Sequence, residues 1–248
     1  MNKTRKRTLQ LSGIVVGIIV LIVIGLMIKL KSEMNKMTPI ETMELFEDIT
    51  SVKDSYVNMY LIKDKESYIA IDAGDNRDVI EDELKKMKIN PDKVSAVLLT
   101  HTDFDHVAAI ELFKNATVYL SKQEEQLING ITKRFFIIGN KINTKDYRLL
   151  EDGQVLNIGN IVIQGILTAG HTPGSMCYLI NDKYLFTGDV LSLKNGKIDR
   201  FNEFFNMDTR TAVKSMGKLT NIPNVQYIFT GHYGYSDNYI SAVSNWKK

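Results

Sequence analysis

A chain of 248 residues, 44% hydrophobic and 24% charged, has the length of one ordinary domain and enough apolar material for a core. Its 31 basic and 29 acidic residues leave a formal charge of +2, which gives no general attraction to nucleic acid, a partner that usually needs a strongly basic face, and no clear nucleic-acid surface is read. The single cysteine, Cys177, excludes an internal disulfide framework and leaves no cysteine cluster to hold a structural zinc; in the apolar run Met176–Ile180 it reads as a small buried side chain rather than a ligand or nucleophile.

A basic tail, residues 1–7, with Lys3, Arg5, Lys6 and Arg7, precedes an uncharged stretch over residues 8–28. That is about the 20 residues a helix needs to cross a bilayer, and no small-x-small cleavage site follows, so it reads as an uncleaved transmembrane anchor in contact with lipid. Lys29, Lys31 and Lys36 nearly balance the basic tail. The positive-inside tendency still places the amino terminus in the cytoplasm and the rest of a single-pass membrane protein outside the cytoplasm. Residues 29–39 read as a polar tether, and one domain fills residues 40–248.

Within that domain Ser55–Ile62 alternates and is rich in β-formers, and Tyr68–Ile71 reads as its paired strand. Val79, Ile80, Leu84 and Met87 recur at helical spacing and stop at Asn90-Pro91. A buried strand over Val94–Thr100 follows, then a short helix over Val107–Phe113, a strand over Thr117–Leu120, and Ser121-Lys122-Gln123-Glu124 as a capping box. Residues 129–147 mix Phe135-Phe136-Ile137-Ile138 with Gly130, Gly139, Asn140 and Asn143 and suit either core packing or a cover for a cleft. Strands are expected at Arg148–Leu150, Val155-Leu156, Ile161–Ile163, Met176–Ile180, Tyr184–Phe186 and Val225–Thr230. Helices are expected near 209–219 and 238–246, giving a layered α/β domain.

Four apolar strands end alike, in Leu99-Thr100-His101, Thr168-Ala169-Gly170-His171, Thr187-Gly188-Asp189 and Thr230-Gly231-His232. Each puts a metal-binding side chain just past a strand's carboxyl end, where functional sites of α/β sheets gather. The first continues as His101-Thr102-Asp103-Phe104-Asp105-His106, with four potential ligands in six positions. All four histidines of the chain, His101, His106, His171 and His232, fall in this pattern, whereas packing histidines would scatter.

On these residues, with Asp72-Ala73-Gly74 and the Gly170–Ser175 loop, the sequence resembles the metallo-β-lactamase-fold hydrolases, whose signature is H-x-H-x-D-H, a distant His, an Asp and a final His. The resemblance implies an α/β fold, a four-layer αββα sandwich, preceded here by the transmembrane helix. It implies that His101, Asp103 and His171 hold one divalent ion, that Asp105, His106 and His232 hold a second, and that Asp189 bridges them. A bridging hydroxide would then be the nucleophile, with Asp105 and Asp189 in the catalytic centre. Asp72 resembles the aspartate that braces the metal loop, with a simple turn as its alternative. Tyr233 is a candidate hydrogen-bond donor to a developing oxyanion, or a packing residue.

Asp103 stands where the family's second histidine lies, a variant similar to that in metallo-hydrolase domains of DNA-uptake channel proteins. It removes one positive charge from the site, and its oxygen ligand moves the expected ions from zinc, usual in the family, towards harder ions such as manganese or iron. A bridging aspartate is not a feature of true zinc β-lactamases, so an ester-type bond (phosphodiester, lactone or thioester) in a small-molecule substrate is the expected target. An iron-dependent oxidoreductase on the same fold, or a tethered non-catalytic metal-binding protein, are the alternatives.

Overall fold

Nothing polar interrupts the run from Ile14 to Ile28, and helix α1 (Lys3–Met34) carries it with those side chains exposed. Its stretch Ile14–Met34 is long and apolar enough to cross a membrane by length and composition. The helix continues through Lys29–Met34, which the sequence reading gave to the tether. The computed structural model describes residues 3–46, 48–135, 137–144 and 146–246, and divides into two units between Met37 and Thr38. Phe136 lies outside the described residues.

The second unit opens with strands β1 (Met43–Phe46), β2 (Ile49–Asp54), β3 (Val57–Asp64) and β4 (Ser67–Ile71), then helix α2 (Arg77–Lys86) and β5 (Val94–Leu98). The turn helix α3 (Phe104–Val107), β6 (Thr117–Ser121), the turn helix α4 (Glu125–Ile128) and β7 (Tyr147–Leu150) follow. Strands β8 (Val155–Ile158), β9 (Ile161–Leu167), β10 (Met176–Ile180) and β11 (Tyr184–Phe186) lead to a hairpin of β12 (Leu191–Lys194) and β13 (Lys197–Arg200). Helix α5 (Thr209–Lys218), β14 (Tyr227–Phe229), β15 (Tyr235-Ser236) and helix α6 (Tyr239–Val243) complete the order.

Strands β1 to β7 form one sheet in sequence order, antiparallel as far as β4 and parallel from β4 to β7. The second sheet runs β15-β14-β11-β10-β9-β8, with β11 and β14 parallel. Period-two alternation assigns the faces. On β3, Tyr60 and Ile62 point into a cluster shared with Met176, Tyr178, Ile180, Phe186 and Phe229 of the second sheet. Met59 and Leu61 point the other way, to Ile80 and Leu84 of α2. On β10 the same rule sends Cys177 and Leu179 towards Met216 of α5 and Tyr239 and Ala242 of α6. The second unit is therefore an α/β sandwich of two sheets.

Three expectations change. The strand read at Ser55–Ile62 begins at Val57, because Ser55 and Tyr56 form the turn that joins it to β2, and Ser55 takes φ +57°. The helix expected over Val107–Phe113 is the α3 turn ending at Val107, followed by a 3-10 turn at Ile110–Leu112. The capping box is half made: Ser121 Oγ accepts from the Glu124 amide at 3.1 Å, but the Glu124 carboxylate goes to two distant loops.

Candidate metal centre

Strands β5, β9, β11 and β14 end at Leu98, Leu167, Phe186 and Phe229, and the loops that leave them bring His101, His171, Asp189 and His232 together. Asp103 occupies the N-cap position of α3, yet its side chain makes no cap bond. Asp105 and His106 come from the first turn of the same helix. Donor atoms lie within 4.8 Å of one another in three groups: His101, Asp103 and His171; His101, His106 and Asp189; and Asp105, His106 and His232. Asp103 Oδ2 is 3.2 Å from His171 Nε2 and 3.7 Å from His101 Nε2. Asp105 Oδ2 is 3.4 Å from His232 Nε2 and 3.7 Å from His106 Nε2. Asp189 reaches both sides, with Oδ2 at 3.2 Å from His232 Nε2 and 3.6 Å from His171 Nε2, and Oδ1 at 3.5 Å from His106 Nε2.

Each histidine is held from behind by an oxygen. His106 Nδ1 meets Asp72 Oδ2 at 2.9 Å, His232 Nδ1 meets the Tyr56 carbonyl at 2.7 Å, and His171 Nδ1 meets Asn206 Oδ1 at 3.3 Å. His101 Nδ1 meets Thr100 Oγ1 at 3.1 Å, and that hydroxyl donates its own proton to Asp72 Oδ2 at 2.8 Å. All four partners are therefore acceptors, which puts the proton on Nδ1 and turns the Nε2 lone pair into the cluster. Asp72 does more than turn the chain at φ +60°, since Oδ1 also accepts from the Thr100 amide at 2.7 Å.

These donors fit divalent cations. Among the described residues His101 Nε2 and Asp189 Oδ1 are buried with no hydrogen-bond partner, and His106 Nε2 faces His232 Nε2 at 3.4 Å. Two lone pairs that close repel unless a cation or a proton lies between them. Burial opposes charge on His106, but Asp189, Asp105 and Asp72 outweigh it and push its pKa well above the usual value. His232 is raised in the same way by Asp189 and Asp105, against its burial. Protons thus compete with cations for these nitrogens. Ion binding should release protons and be weaker at pH 6 than at pH 8; calorimetry in buffers of different ionisation enthalpy checks this, and binding without proton release would contradict it.

Three residues of the site are not read as site residues from the sequence. Glu124, fully buried, accepts from the Thr102 amide and hydroxyl, both at 2.8 Å, the Thr172 hydroxyl at 2.6 Å and the Gly174 amide at 3.1 Å. It ties the loop of His101 and Asp103 to the loop of His171. Gly174 lies so close that a Cβ there would stand 2.1 Å from the Glu124 backbone nitrogen. Arg134, also buried, pairs with Asp103 Oδ2 at 2.7 Å, and Asn140 donates to Asp103 Oδ1 at 3.0 Å. Both belong to residues 129–147. With Phe104, Phe135, Ile138 and Phe205 they line a cavity of about 380 Å³ that reaches Asp103 and Asp105, the cleft-covering alternative for this stretch.

Tyr233 packs edge to face against Phe201, ring centroids 6.0 Å apart, beside the second sheet's outer cluster. Cys177 lies in that cluster, and burial pushes its thiol up to about 12. Since the thiolate is the reactive form, iodoacetamide at pH 8 should leave the native chain unmodified and label it once unfolded. Mass spectrometry reads the result, and labelling of the native chain would contradict this burial.

The fold and the cluster together define an α/β sandwich with a histidine–aspartate centre at its strand ends. The metallo-beta-lactamase superfamily model matches residues 52–232, and the chain belongs to that superfamily. It is 36% identical over 137 residues to a probable polyketide biosynthesis zinc-dependent hydrolase of Bacillus velezensis, a match covering 53% of this chain and 54% of the relative. The chain thus spans about half the length of that relative. It is 32% identical over 182 residues to a hydroxyacylglutathione hydrolase of Buchnera aphidicola, covering 71% of this chain and 63% of that one. A solved B3 metallo-beta-lactamase with an active-site glutamic acid superposes with a TM-score of 0.64 at 20% identity, covering 84% of this chain and 88% of the other, and this likeness concerns the fold.

Proposed function

We propose that the chain is a metal-dependent hydrolase of an ester-type bond (phosphodiester, lactone or thioester), held at the membrane by helix α1. The observation that carries this reading is the convergence of four Nε2 lone pairs and three carboxylates on one buried space, with His101 Nε2 and Asp189 Oδ1 lacking any other partner among the described residues. Relatives named zinc-dependent hydrolase and hydroxyacylglutathione hydrolase support it. His101, Asp103 and His171 would hold one ion, Asp105, His106 and His232 a second, and Asp189 would bridge them.

Bound divalent ions supply Lewis acidity, acidifying a water and polarising the substrate's oxygen. The chain's own residues orient and exclude. Asp72, Thr100, Tyr56 and Asn206 fix the four imidazoles so that no reorganisation is needed when charge develops. Phe104, Phe135, Ile138 and Phe205 give the cavity apolar walls against which a substrate's apolar part would lie. Asp105, which would hold the second ion, lines that cavity and so faces the space a substrate would enter. Zinc is the ion named for the relative, and manganese or iron are the alternatives that Asp103 suggests.

The fold reading completes as four αββα layers, supported by the clusters that pack α2 on one sheet and α5 and α6 on the other. Residues 1–7 form the basic tail, 8–28 the anchor, 29–39 the connection and 40–248 the catalytic domain, outside the cytoplasm. The detergent-purified full chain, loaded in turn with zinc, manganese and iron, should hydrolyse at least one of a phosphodiester, a lactone and a thioester faster than a β-lactam. No hydrolysis with any ion would overturn the reading, and turnover that needs oxygen would replace it with redox chemistry. Protease added to intact cells should remove the 40–248 domain; protection beside a digested external control would reverse the orientation.

A further inference from the structure

Residues 129–147 send a buried arginine to the one ligand position occupied by an aspartate in place of a histidine. Arg134 and Asp103 side chains are 6% and 16% exposed, and their 2.7 Å contact is fixed from both sides. The guanidinium donates from Nη1 to the His171 carbonyl at 2.9 Å and from Nη2 to the Phe205 carbonyl at 2.8 Å, so its plane is set by three acceptors on three segments. Asn140 holds Asp103 Oδ1 at 3.0 Å and Thr102 Oγ1 at 3.1 Å. The Asp103 carboxylate therefore has one oxygen on Asn140 and the other on Arg134, with the latter aimed between His101 and His171.

We propose that Asp103 and Arg134 work as one unit that takes the place of a neutral ligand, Arg134 positioning the carboxylate and returning the positive charge that Asp103 removes. The inference rests on the reading of the cluster as a two-ion centre. Two divalent ions among three carboxylates leave a single positive charge, whereas a histidine at position 103 would leave two. Arg134 restores the second positive charge within the same buried volume, where charges act on one another with little screening. It also draws electron density from Asp103 Oδ2, whose remaining lone pair is left for the ion. Asp103 alone would have weakened the centre's pull on a substrate oxygen, and the pair does not.

A unit of this kind cannot be dismantled one half at a time. Asp103→His supplies a good zinc ligand but strands a buried guanidinium beside two cations, and Asp103→Asn strands it without adding a ligand. Each single variant of the full chain should lose zinc affinity by about tenfold or more, measured by competition with a chromophoric chelator in the absence of substrate. Adding Arg134→Gln to either should recover affinity, to within about threefold of the parent for Asp103→His/Arg134→Gln. Cobalt absorption in the same variants should shift with the single change and return with the double, a recovery that a merely structural arginine would not give. Where a single variant fails to fold, the double should fold.

Doubles that bind no better and fold no better than the singles would overturn the proposal. A parent chain that holds no ions would instead overturn the two-ion reading beneath it, so the two failures are told apart by the first titration.

Discussion

Asp189→Asn should abolish hydrolysis while leaving the fold intact, with a loss on the order of 10²–10³-fold or more. The reason is position: Asp189 reaches His171 and His232 with one oxygen and His106 with the other, so it belongs to both halves of the cluster. Burial would raise its pKa, and the charges of His232 and His106 outweigh that and hold it well below the usual carboxylate range. It is therefore a permanent anion in a buried space. Asparagine keeps the shape, removes the charge and turns amide protons towards cations. Turnover and elemental analysis on the same preparation should fall together, with an unchanged circular dichroism spectrum. Activity within about threefold of the parent would remove Asp189 from the centre.

Glu124→Ala should give the second large effect, on stability and ion affinity together. Four donors from Thr102, Thr172 and Gly174 lose their buried acceptor at once. Stranding a buried network of this kind costs about 3–5 kcal/mol, and the loops of His101 and His171 lose their common strut. Ion affinity should fall about 10–100-fold as a result. Denaturant unfolding of the metal-free chain reads the first number and chelator competition the second. A loss below about 1 kcal/mol, typical of an ordinary substitution, would show that the two loops are held by something else.

The difference between these two residues shows what the sequence discloses. Asp189 was legible because it follows the end of an apolar strand by three residues, as His101 and His232 do and as His171 does by four, and local pattern suffices to see that. Glu124 sits in a local pattern too, and there the pattern misleads. Ser121 does accept from the Glu124 amide, as a capping box requires, but the carboxylate binds residues 22 and 48 positions away. Arg134 was invisible for a different reason. It lies in a stretch with neither helical nor strand periodicity, and only the folded chain brings it to Asp103, 31 residues earlier in the sequence.

The strands that carry ligands were legible for the same local reason, each ending in a short apolar run followed by Thr, with Gly before the ligand in three of the four. Strands β1 and β2 were not, because Met43–Asp54 mixes charged and apolar residues without strict alternation. The register of β2 is set by its β3 partner, and that of β1 by β2, rather than by their own composition. Arg134, beside Asp103, also alters the charge balance that Asp103 alone would set. The carboxylate's preference for harder ions stands on its oxygen donor, while the lost charge is replaced.

The ion content of the purified full chain tests the account most directly. Elemental analysis after dialysis should find about two divalent ions per chain, and stripping them with a chelator should lower the unfolding free energy. Each site contributes about 2.7 kcal/mol when free ion stands at about 100 times its Kd. A chain that carries no divalent ion and unfolds identically with and without chelator would contradict the two-ion centre.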